Sequence, residues 1–171
     1  TYAARDSAIA EGLGYEAVVL RSPSEAELYS TLNNNDVAMV WYYGHGSYYS
    51  NAPLNQGNLP SWTNADQPVL YFSGGCNFND NTILPTRSLG SALVIGENGS
   101  GVSIGASLDG GYGYDYWFVV GVLESSPSRD TVGEMFIDAL NAAHDYAESN
   151  GTDVSYGSWM YFFTEKMTYK G

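Results

Sequence analysis

Short, continuously apolar runs alternate along this chain with segments that start like helices, and this alternation constrains the fold most. Residues 37–43 and 69–72 are apolar at every position, which is typical of strands buried on both faces of a parallel sheet. Before the first run, Ser24 with Glu27 forms a capping-box pattern that starts a helix. Because alternating helices and strands build parallel sheets covered by helices, we expect an α/β fold with a mostly parallel sheet and helices on both faces.

The remaining segments fit the same architecture. Further strands are predicted at residues 16–21 and 101–106. The pattern of residues 112–123 is ambiguous and is assigned to a short helix. The other predicted helices cover residues 3–13, 24–32, 88–95, 131–151 and 159–167. The polar stretch 47–67 is predicted to be a long loop, and loops of that length are often functional.

Composition sets the broad class of protein. The chain has 171 residues, of which 44% are apolar and 15% charged, so we expect one globular domain over residues 1–171. The formal net charge of −13 argues against nucleic acid and anionic membranes as partners. It fits a solvated acidic surface on a secreted protein, or a site that attracts cationic substrates. No apolar run is long enough to span a bilayer, and the single cysteine excludes an internal disulfide.

Two residues with reactive side chains follow the buried runs, where the strands should end. His45 lies in the sequence Gly-His-Gly-Ser, and Cys76 follows two glycines 31 positions later. Neighbouring parallel strands bring their last residues together at one sheet edge. We therefore expect an imidazole beside a thiol, the pair needed for nucleophilic catalysis on acyl groups. The alternatives are a cysteine that only fills the core and a histidine in an ordinary turn.

The glycines around these side chains have a physical use. Gly46 and Gly75 would let a substrate backbone approach closely, because neither carries a Cβ. Glycine turns can also aim backbone N–H groups at one point, which is the arrangement that stabilises a developing oxyanion. The sequence therefore predicts a substrate site at the carboxyl edge of the sheet.

The order of these motifs resembles the clan of cysteine peptidases that contains caspases, legumain, clostripain and gingipains. Within that clan, residues 43–47 (Tyr-Gly-His-Gly-Ser), 88–93 and 101–107 look most like the gingipain group, peptidase family C25. The resemblance runs from about residue 37 to residue 106. It implies a caspase-like, three-layer α/β sandwich and the activity of a hydrolase, namely a thiol protease.

The resemblance also implies roles for the matching residues. Cys76 would be the nucleophile, and His45 would be the acid–base partner that protonates the leaving amine. The backbone N–H groups of Gly46 and Cys76 would bind the oxyanion, while Gly74 and Gly75 would lie against the substrate. Such an enzyme would cleave peptide or protein substrates through an acyl-enzyme, with a preference for basic P1 residues. It would act outside the cell or at the cell surface.

Two features depart from the family pattern. Gingipains use acidic groups before the histidine to orient it and to bind a basic P1 side chain, but only 44 residues precede His45. We therefore expect the domain to be incomplete at its N-terminus. Several relatives in the clan place a carboxylate two residues before the cysteine, where this chain has Gly74.

Residues 107–117 resemble the aromatic segment that walls the P1 pocket in gingipains. Tyr112, Tyr114 and Trp117 would stack on an aliphatic stem, and Asp109 or Asp115 would meet a cation. The alternative is a glycine-rich surface loop whose aromatic side chains lie in the core.

No cofactor and no metal ligand set are predicted, although residues 77–81, and Asp109 with Asp115, leave calcium binding open. Two functions therefore remain. The first is a cysteine endopeptidase that uses a His45/Cys76 dyad. The second is a catalytically inactive caspase-like domain that serves as a surface, binding or assembly module. The oligomeric state is not predicted.

Overall fold

The structure is a computed structural model that describes residues 2–64, 67, 69–80, 82, 87–96, 98–106, 112–151 and 162–165. The chain divides into two compact units. The helical unit comprises Thr1–Arg21 and Gly111–Met160, and the sheet unit comprises Ser22–Gly110 and Tyr161–Gly171.

The sheet unit is built on four strands in the order β1, β4, β5, β6. Strands β1 (Met39–Tyr42), β4 (Val69–Ser73) and β5 (Ser100–Ala106) run parallel to one another. Strand β6 (Phe162–Glu165) pairs antiparallel with β5. The sheet is therefore mostly parallel, as the alternating pattern predicts.

In its described part the same unit contains two α-helices, and each starts at a serine that caps it. Helix α2 (Glu25–Asn34) begins with the predicted capping box, in which the Ser24 hydroxyl accepts the Glu27 N–H and the Glu27 carboxylate accepts the Ser24 N–H. Helix α3 (Leu89–Ile95) begins at Ser88, whose hydroxyl accepts a backbone N–H from the first turn. These caps satisfy N–H groups that a helix start leaves without partners.

One hydrophobic core joins these helices to one face of the sheet. It consists of Tyr29, Leu32, Leu54, Trp62, Val69, Tyr71, Phe78, Leu89 and Leu93. On the alternate positions of β4 and β5, Phe72, Ile104 and Ala106 are also buried. Strands β4 and β5 are thus buried on both faces, which is typical of parallel strands.

The polar segment 47–67, predicted to be a loop, contains structure of its own. Strands β2 (Ser50–Asn51) and β3 (Leu54–Asn55) form a short antiparallel hairpin, and a 3-10 helix follows at Leu59–Ser61. The hydroxyl of Ser47 accepts the N–H of Ser50 at 3.0 Å and fixes the start of the hairpin.

The helical unit contains α1 (Tyr2–Gly12), α4 (Tyr112–Ser125) and α5 (Val132–Ser149). Helices α4 and α5 pack closely because small residues face each other. A Cβ on Gly121 of α4 would lie 2.7 Å from the Cα of Ala139 of α5. The ambiguous segment 112–123 is therefore a full helix, stabilised by packing against α5.

Most other predicted elements are confirmed with small shifts at their ends. The second capping box, Thr131 with Glu134, starts α5 as predicted. Gly151, with a φ of +62°, follows the end of that helix, where a left-handed residue is common. Strand β1 is half-buried along its length rather than buried on both faces, because it lies at one end of the described strand order.

Two predicted elements are wrong. Residues 16–21 form no strand, and Val18 is 58% exposed. Among the described residues no strand pairs with this segment, and a strand needs a neighbour to satisfy its backbone groups. The helix predicted at residues 159–167 is replaced in its described part by β6, because antiparallel pairing with β5 outweighs the local helical spacing.

Candidate active site

His45 and Cys76 follow two neighbouring parallel strands that are in register. Strand β1 pairs directly with β4, with Tyr42 opposite Ser73. The N–H of Gly74 donates to the carbonyl oxygen of Tyr42 at 2.9 Å and extends the pairing by one residue. His45 and Cys76 each lie three positions beyond the Tyr42–Ser73 pair, so their loops leave the same edge of the sheet side by side.

The two loops touch through Gly46 and Gly75. A Cβ on Gly46 would lie 2.7 Å from the Cα of Gly75, and a Cβ on Gly75 would lie 2.9 Å from the Cα of Gly46. The same two Cβ positions would lie 2.6 and 2.5 Å from Oδ1 of Asn51. Only a hydrogen fits there, so both glycines serve the close approach of the loops to each other and to Asn51. Their contact with a substrate stays a prediction.

Tyr42 holds the backbone of His45. Its hydroxyl donates to the carbonyl oxygen of His45 at 2.6 Å. Gly44 leaves room for this bond, because a Cβ on Gly44 would lie 2.7 Å from the Tyr42 oxygen. His45 is exposed and Cys76 is half-buried.

The chain after Cys76 is anchored in the core by Phe78. The Phe78 ring is fully buried and stacks on Tyr71, with ring centroids 5.5 Å apart. The ring also packs against Gly105 on β5, where a Cβ would collide with it. This contact ties the cysteine turn to the neighbouring strand.

Backbone contacts reinforce that anchor. The N–H of Asn79 donates to the carbonyl oxygen of Ala106 at 3.0 Å, at the end of β5. Asn77, directly after the cysteine, has a φ of +56°, a left-handed conformation that asparagine tolerates better than most residues. The turn that carries Cys76 is thus held at both of its ends.

A chain of buried polar side chains lies behind the two loops. The Nδ2 of Asn51 donates to Oγ of Ser73 at 2.7 Å and lies 3.5 Å from the hydroxyl oxygen of Tyr71. The Ser73 oxygen also accepts the N–H of Gly75 at 3.0 Å. Asn51, Tyr71 and Ser73 are 1, 3 and 4% exposed. Burial raises the pKa of Tyr71, so its hydroxyl stays neutral at ordinary pH.

The sequence does not reveal this second set of residues. Tyr42 and Ser73 look like ordinary strand residues, and Asn51 is one of several asparagines in a predicted loop. The only local signal is a strand that ends in a polar residue before two glycines. Asn51 lies 20 and 22 positions from its partners Tyr71 and Ser73, so these two contacts follow from the tertiary structure alone.

Several residues predicted to bind substrate fall outside the described part of the chain. Asp109 lies outside the described residues. Tyr112, Tyr114 and Asp115 lie on α4, but their side chains are also outside the described part. Their contribution to a P1 pocket stays a prediction.

Trp117, also on α4, is described within the helical unit. Its ring stacks on that of Tyr146, with centroids 5.0 Å apart. The guanidinium carbon of Arg5 lies 6.0 Å from the centroid of the Trp117 ring, within reach of a cation–π contact. The predicted role of Trp117 in a P1 pocket stays a prediction.

The segment after the cysteine was the candidate calcium site. Asn79 is 3% exposed, and its Nδ2 donates to the carbonyl oxygen of Gly105 at 3.4 Å. The carboxylate of Asp80 accepts both the N–H and the O–H of Thr82, at 2.9 and 2.6 Å. In the described part of the chain, no three His, Cys, Asp or Glu residues are grouped to hold a metal ion. Calcium binding stays a prediction.

Comparison with known proteins identifies relatives of this arrangement. The sequence profile of Peptidase family C25 matches residues 6–163. The crystal structure of gingipain R (RgpB), an Arg-specific cysteine proteinase, is similar with a TM-score of 0.76 and 16% identity, over 88% of this chain and 38% of that chain. The complex of the pro- and mature domains of RgpB from Porphyromonas gingivalis gives a TM-score of 0.73 and 14% identity, over 88% and 39%. No curated protein sequence matches the chain.

A third structure, described as a protease, gives a TM-score of 0.61 and 23% identity, over 72% of this chain and 32% of that one. These likenesses confirm the predicted gingipain-like, three-layer α/β fold. The chain spans about two fifths of the gingipain chains that it matches. None of the helices among the described residues is both long and apolar enough to cross a membrane. Because the family profile covers nearly the whole length, the chain belongs to peptidase family C25, the gingipain family of cysteine peptidases.

Proposed function

We propose that this chain carries the active site of a cysteine endopeptidase, with Cys76 as nucleophile and His45 as its acid–base partner. One observation carries the proposal: β1 and β4 are paired in register, so both residues lie three positions beyond the same Tyr42–Ser73 pair. The backbone contact between Gly46 and Gly75 supports it, because His45 and Cys76 are the direct chain neighbours of these two glycines. Membership of family C25 supports the same chemistry.

The reaction would follow the acyl-enzyme route. The thiolate of Cys76 attacks the carbonyl carbon of the scissile peptide, and a C–S bond forms. The tetrahedral intermediate collapses with cleavage of the C–N bond, and the imidazolium of His45 gives its proton to the leaving amine. Water then attacks the thioester while His45 takes its proton. The C–S bond then breaks, the acid product leaves, and the Cys76 thiolate and the His45 imidazolium are restored.

The backbone N–H groups of Gly46 and Cys76 would bind the oxyanion of that intermediate. The hydrogen bond from Ser47 N–H to the Ser50 carbonyl oxygen, 2.8 Å long, closes the adjacent hairpin without using the N–H of Gly46. The N–H of Gly75 is engaged by Ser73, which favours Cys76 as the second donor. Loss of one such donor typically lowers kcat by a factor of about 10²–10³.

The proposal also includes a preference for substrates with a basic residue at P1. It is supported by the net charge of −13 and by the arginine specificity of the related gingipain R. Trp117, Tyr112, Tyr114 and Asp109 are the candidates for the pocket. Fluorogenic peptides that differ only at P1, with Arg, Lys, Ala or Asp, test it. We expect Arg or Lys to give the highest kcat/KM, and equal values for Ala would contradict the preference.

The proposed substrates are peptides or proteins. We also propose that the protein acts outside the cell or at its surface, because its family and its acidic net charge favour that location. No metal takes part in the proposed steps. The alternative, an inactive domain that binds or assembles, predicts the same fold without reactivity at Cys76.

The deciding experiment combines a probe with matched variants. An acyloxymethyl ketone probe with arginine at P1 should label the parent protein at Cys76, and labelling should be lost in Cys76→Ala and strongly slowed in His45→Ala. His144→Ala is the control, because this second histidine lies on α5 in the helical unit. Circular dichroism should show unchanged folding in all variants. Peptide cleavage by Cys76→Ala would exclude the thiol mechanism, and an unlabelled, folded parent would favour the inactive module.

A further inference from the structure

We propose that Asn51 is a positioning residue of this site, which fixes the loop of His45 and the loop of Cys76 relative to each other. The inference rests on the function proposed above and adds to it a residue from the hairpin that follows His45. Asn51 is 1% exposed and contacts the first loop through its backbone and its side chain, and the second loop through its side chain.

The backbone of Asn51 holds the first loop. It forms an antiparallel bridge with Gly46, the residue directly after His45. The hydroxyl of Ser47 accepts the N–H of Ser50 at 3.0 Å and so fixes the hairpin on which Asn51 lies. The position of the Gly46 N–H, the first proposed oxyanion donor, therefore depends on this hairpin.

The side chain of Asn51 holds the second loop. Its Nδ2 donates to Oγ of Ser73 at 2.7 Å, and the same oxygen accepts the N–H of Gly75 at 3.0 Å. Gly75 directly precedes Cys76, so its orientation sets the direction of the peptide plane that contains the Cys76 N–H. Asn51 is thus connected to the second proposed oxyanion donor, the N–H of Cys76, through the hydroxyl of Ser73.

The carbonyl end of the same side chain sets the distance between the loops. Oδ1 lies 2.6 Å from the position that a Cβ on Gly46 would take and 2.5 Å from the corresponding position on Gly75. Both distances are too short for a Cβ, so only glycine fits on either side of this oxygen. Within the described part of the chain, this buried oxygen has no hydrogen-bond partner. The carbonyl oxygen therefore packs directly against both loops and limits how closely they can approach each other.

The arrangement predicts a specific effect on catalysis. Removal of the Asn51 carboxamide should let the two loops shift, and a small misplacement of reacting groups lowers the rate of the chemical step by up to about 10²-fold. Substrate binding should change little, because Asn51 itself is buried. The effect should therefore fall on kcat and leave KM within about twofold, whereas a merely structural role would lower the amount of folded protein.

The test compares Asn51→Leu, Ser73→Ala and their double variant with Asn64→Leu as control. Asn64 is also buried and also holds a backbone segment, through bonds of 2.7 and 2.8 Å to Gly99, but Gly99 precedes β5 at the opposite edge of the sheet. Rates of arginyl-peptide cleavage are divided by the concentration of active sites titrated with the ketone probe. We expect kcat to fall 10- to 100-fold in Asn51→Leu and less in Ser73→Ala.

The double variant should be no slower than Asn51→Leu alone, because the two side chains act as one connected unit. Asn64→Leu should lose stability but keep its kcat per titrated site. An unchanged kcat in folded Asn51→Leu, or an equal loss in Asn64→Leu, would overturn the positioning role. If Asn51→Leu does not fold, the kcat of Ser73→Ala per titrated site is used instead. An unchanged kcat in folded Ser73→Ala would then overturn the positioning role. A folded parent protein that neither an arginyl nor an alanyl ketone probe labels at Cys76 overturns the peptidase assignment itself, which separates the two failures.

Discussion

The backbones of Gly46 and Gly75 are in direct contact, with each glycine occupying the space that a Cβ on the other would need. This contact joins a loop that begins at β1 to a loop that begins at β4, and its two glycines are the direct chain neighbours of His45 and Cys76. Because a shift at either glycine moves a proposed oxyanion donor, the contact connects packing to catalysis.

Gly46→Ala and Gly75→Ala should each damage both stability and activity. The added methyl group would lie 2.5–2.9 Å from backbone and carboxamide atoms, and overpacking of this kind costs about 1–3 kcal/mol in the free energy of unfolding. Gly133→Ala is the control, because its nearest neighbour lies at 4.0 Å and alanine in a helix is favoured by roughly 0.5–1 kcal/mol. Urea denaturation and peptide cleavage measure both effects. Wild-type activity in Gly75→Ala would contradict the packing described here.

Tyr42→Phe should weaken the hold on the histidine loop. The change removes the hydroxyl that donates to the His45 carbonyl oxygen, and such a bond contributes about 0.5–1.5 kcal/mol. We expect a small loss of stability together with a lower kcat. Tyr29→Phe removes a comparable bond, from its hydroxyl to Oδ1 of Asn58 at 2.7 Å, and should affect stability alone. Equal kcat values in the two variants would show that the Tyr42 bond does not matter for the site.

Phe78→Ala should separate the cysteine turn from the core. Truncation of a fully buried phenylalanine to alanine lowers the free energy of unfolding by about 3–5 kcal/mol. Here the lost contacts include the stacking of Phe78 on Tyr71. Phe78→Leu keeps most of the volume and should cost less. Leu93→Ala, on α3 in the same core, is the matched control for stability loss. At equal fractions of folded protein, the ketone probe should label Cys76 more slowly in Phe78→Leu than in Leu93→Ala.

Lowering the pH should remove the contribution of the first capping box, Ser24 with Glu27, to the free energy of unfolding. Backbone and side-chain hydrogen bonds from Ser24 hold the pKa of Glu27 below its ordinary value of 4.5. The carboxylate therefore stabilises the folded state above about pH 4.5, and this contribution is lost as the pH falls through the lowered pKa. The difference in urea midpoint between the parent and Glu27→Ala should shrink from pH 7 to pH 3. A difference that persists at pH 3 would contradict the linkage.

Local signals in the sequence predict much of the fold. Capping boxes at Ser24 and Thr131, and apolar runs at β4 and β5, identify elements because each signal depends on residues within a few positions. The gingipain resemblance follows from similarly short motifs around His45 and Cys76. The wrong predictions lie where pairing decides: residues 16–21 lack a described partner strand, and β6 pairs with β5 although its local pattern favours a helix.

The sequence by itself determined which strands precede His45 and Cys76 and that glycines surround them. Only the tertiary structure decided that Tyr42 lies opposite Ser73, that the glycines fit against each other, and that Asn51 lies between the two loops. The physical reason is distance along the chain. The pairing of Tyr42 with Ser73 and the bond from Asn51 to Ser73 join residues more than twenty positions apart, and no periodicity within one segment records them.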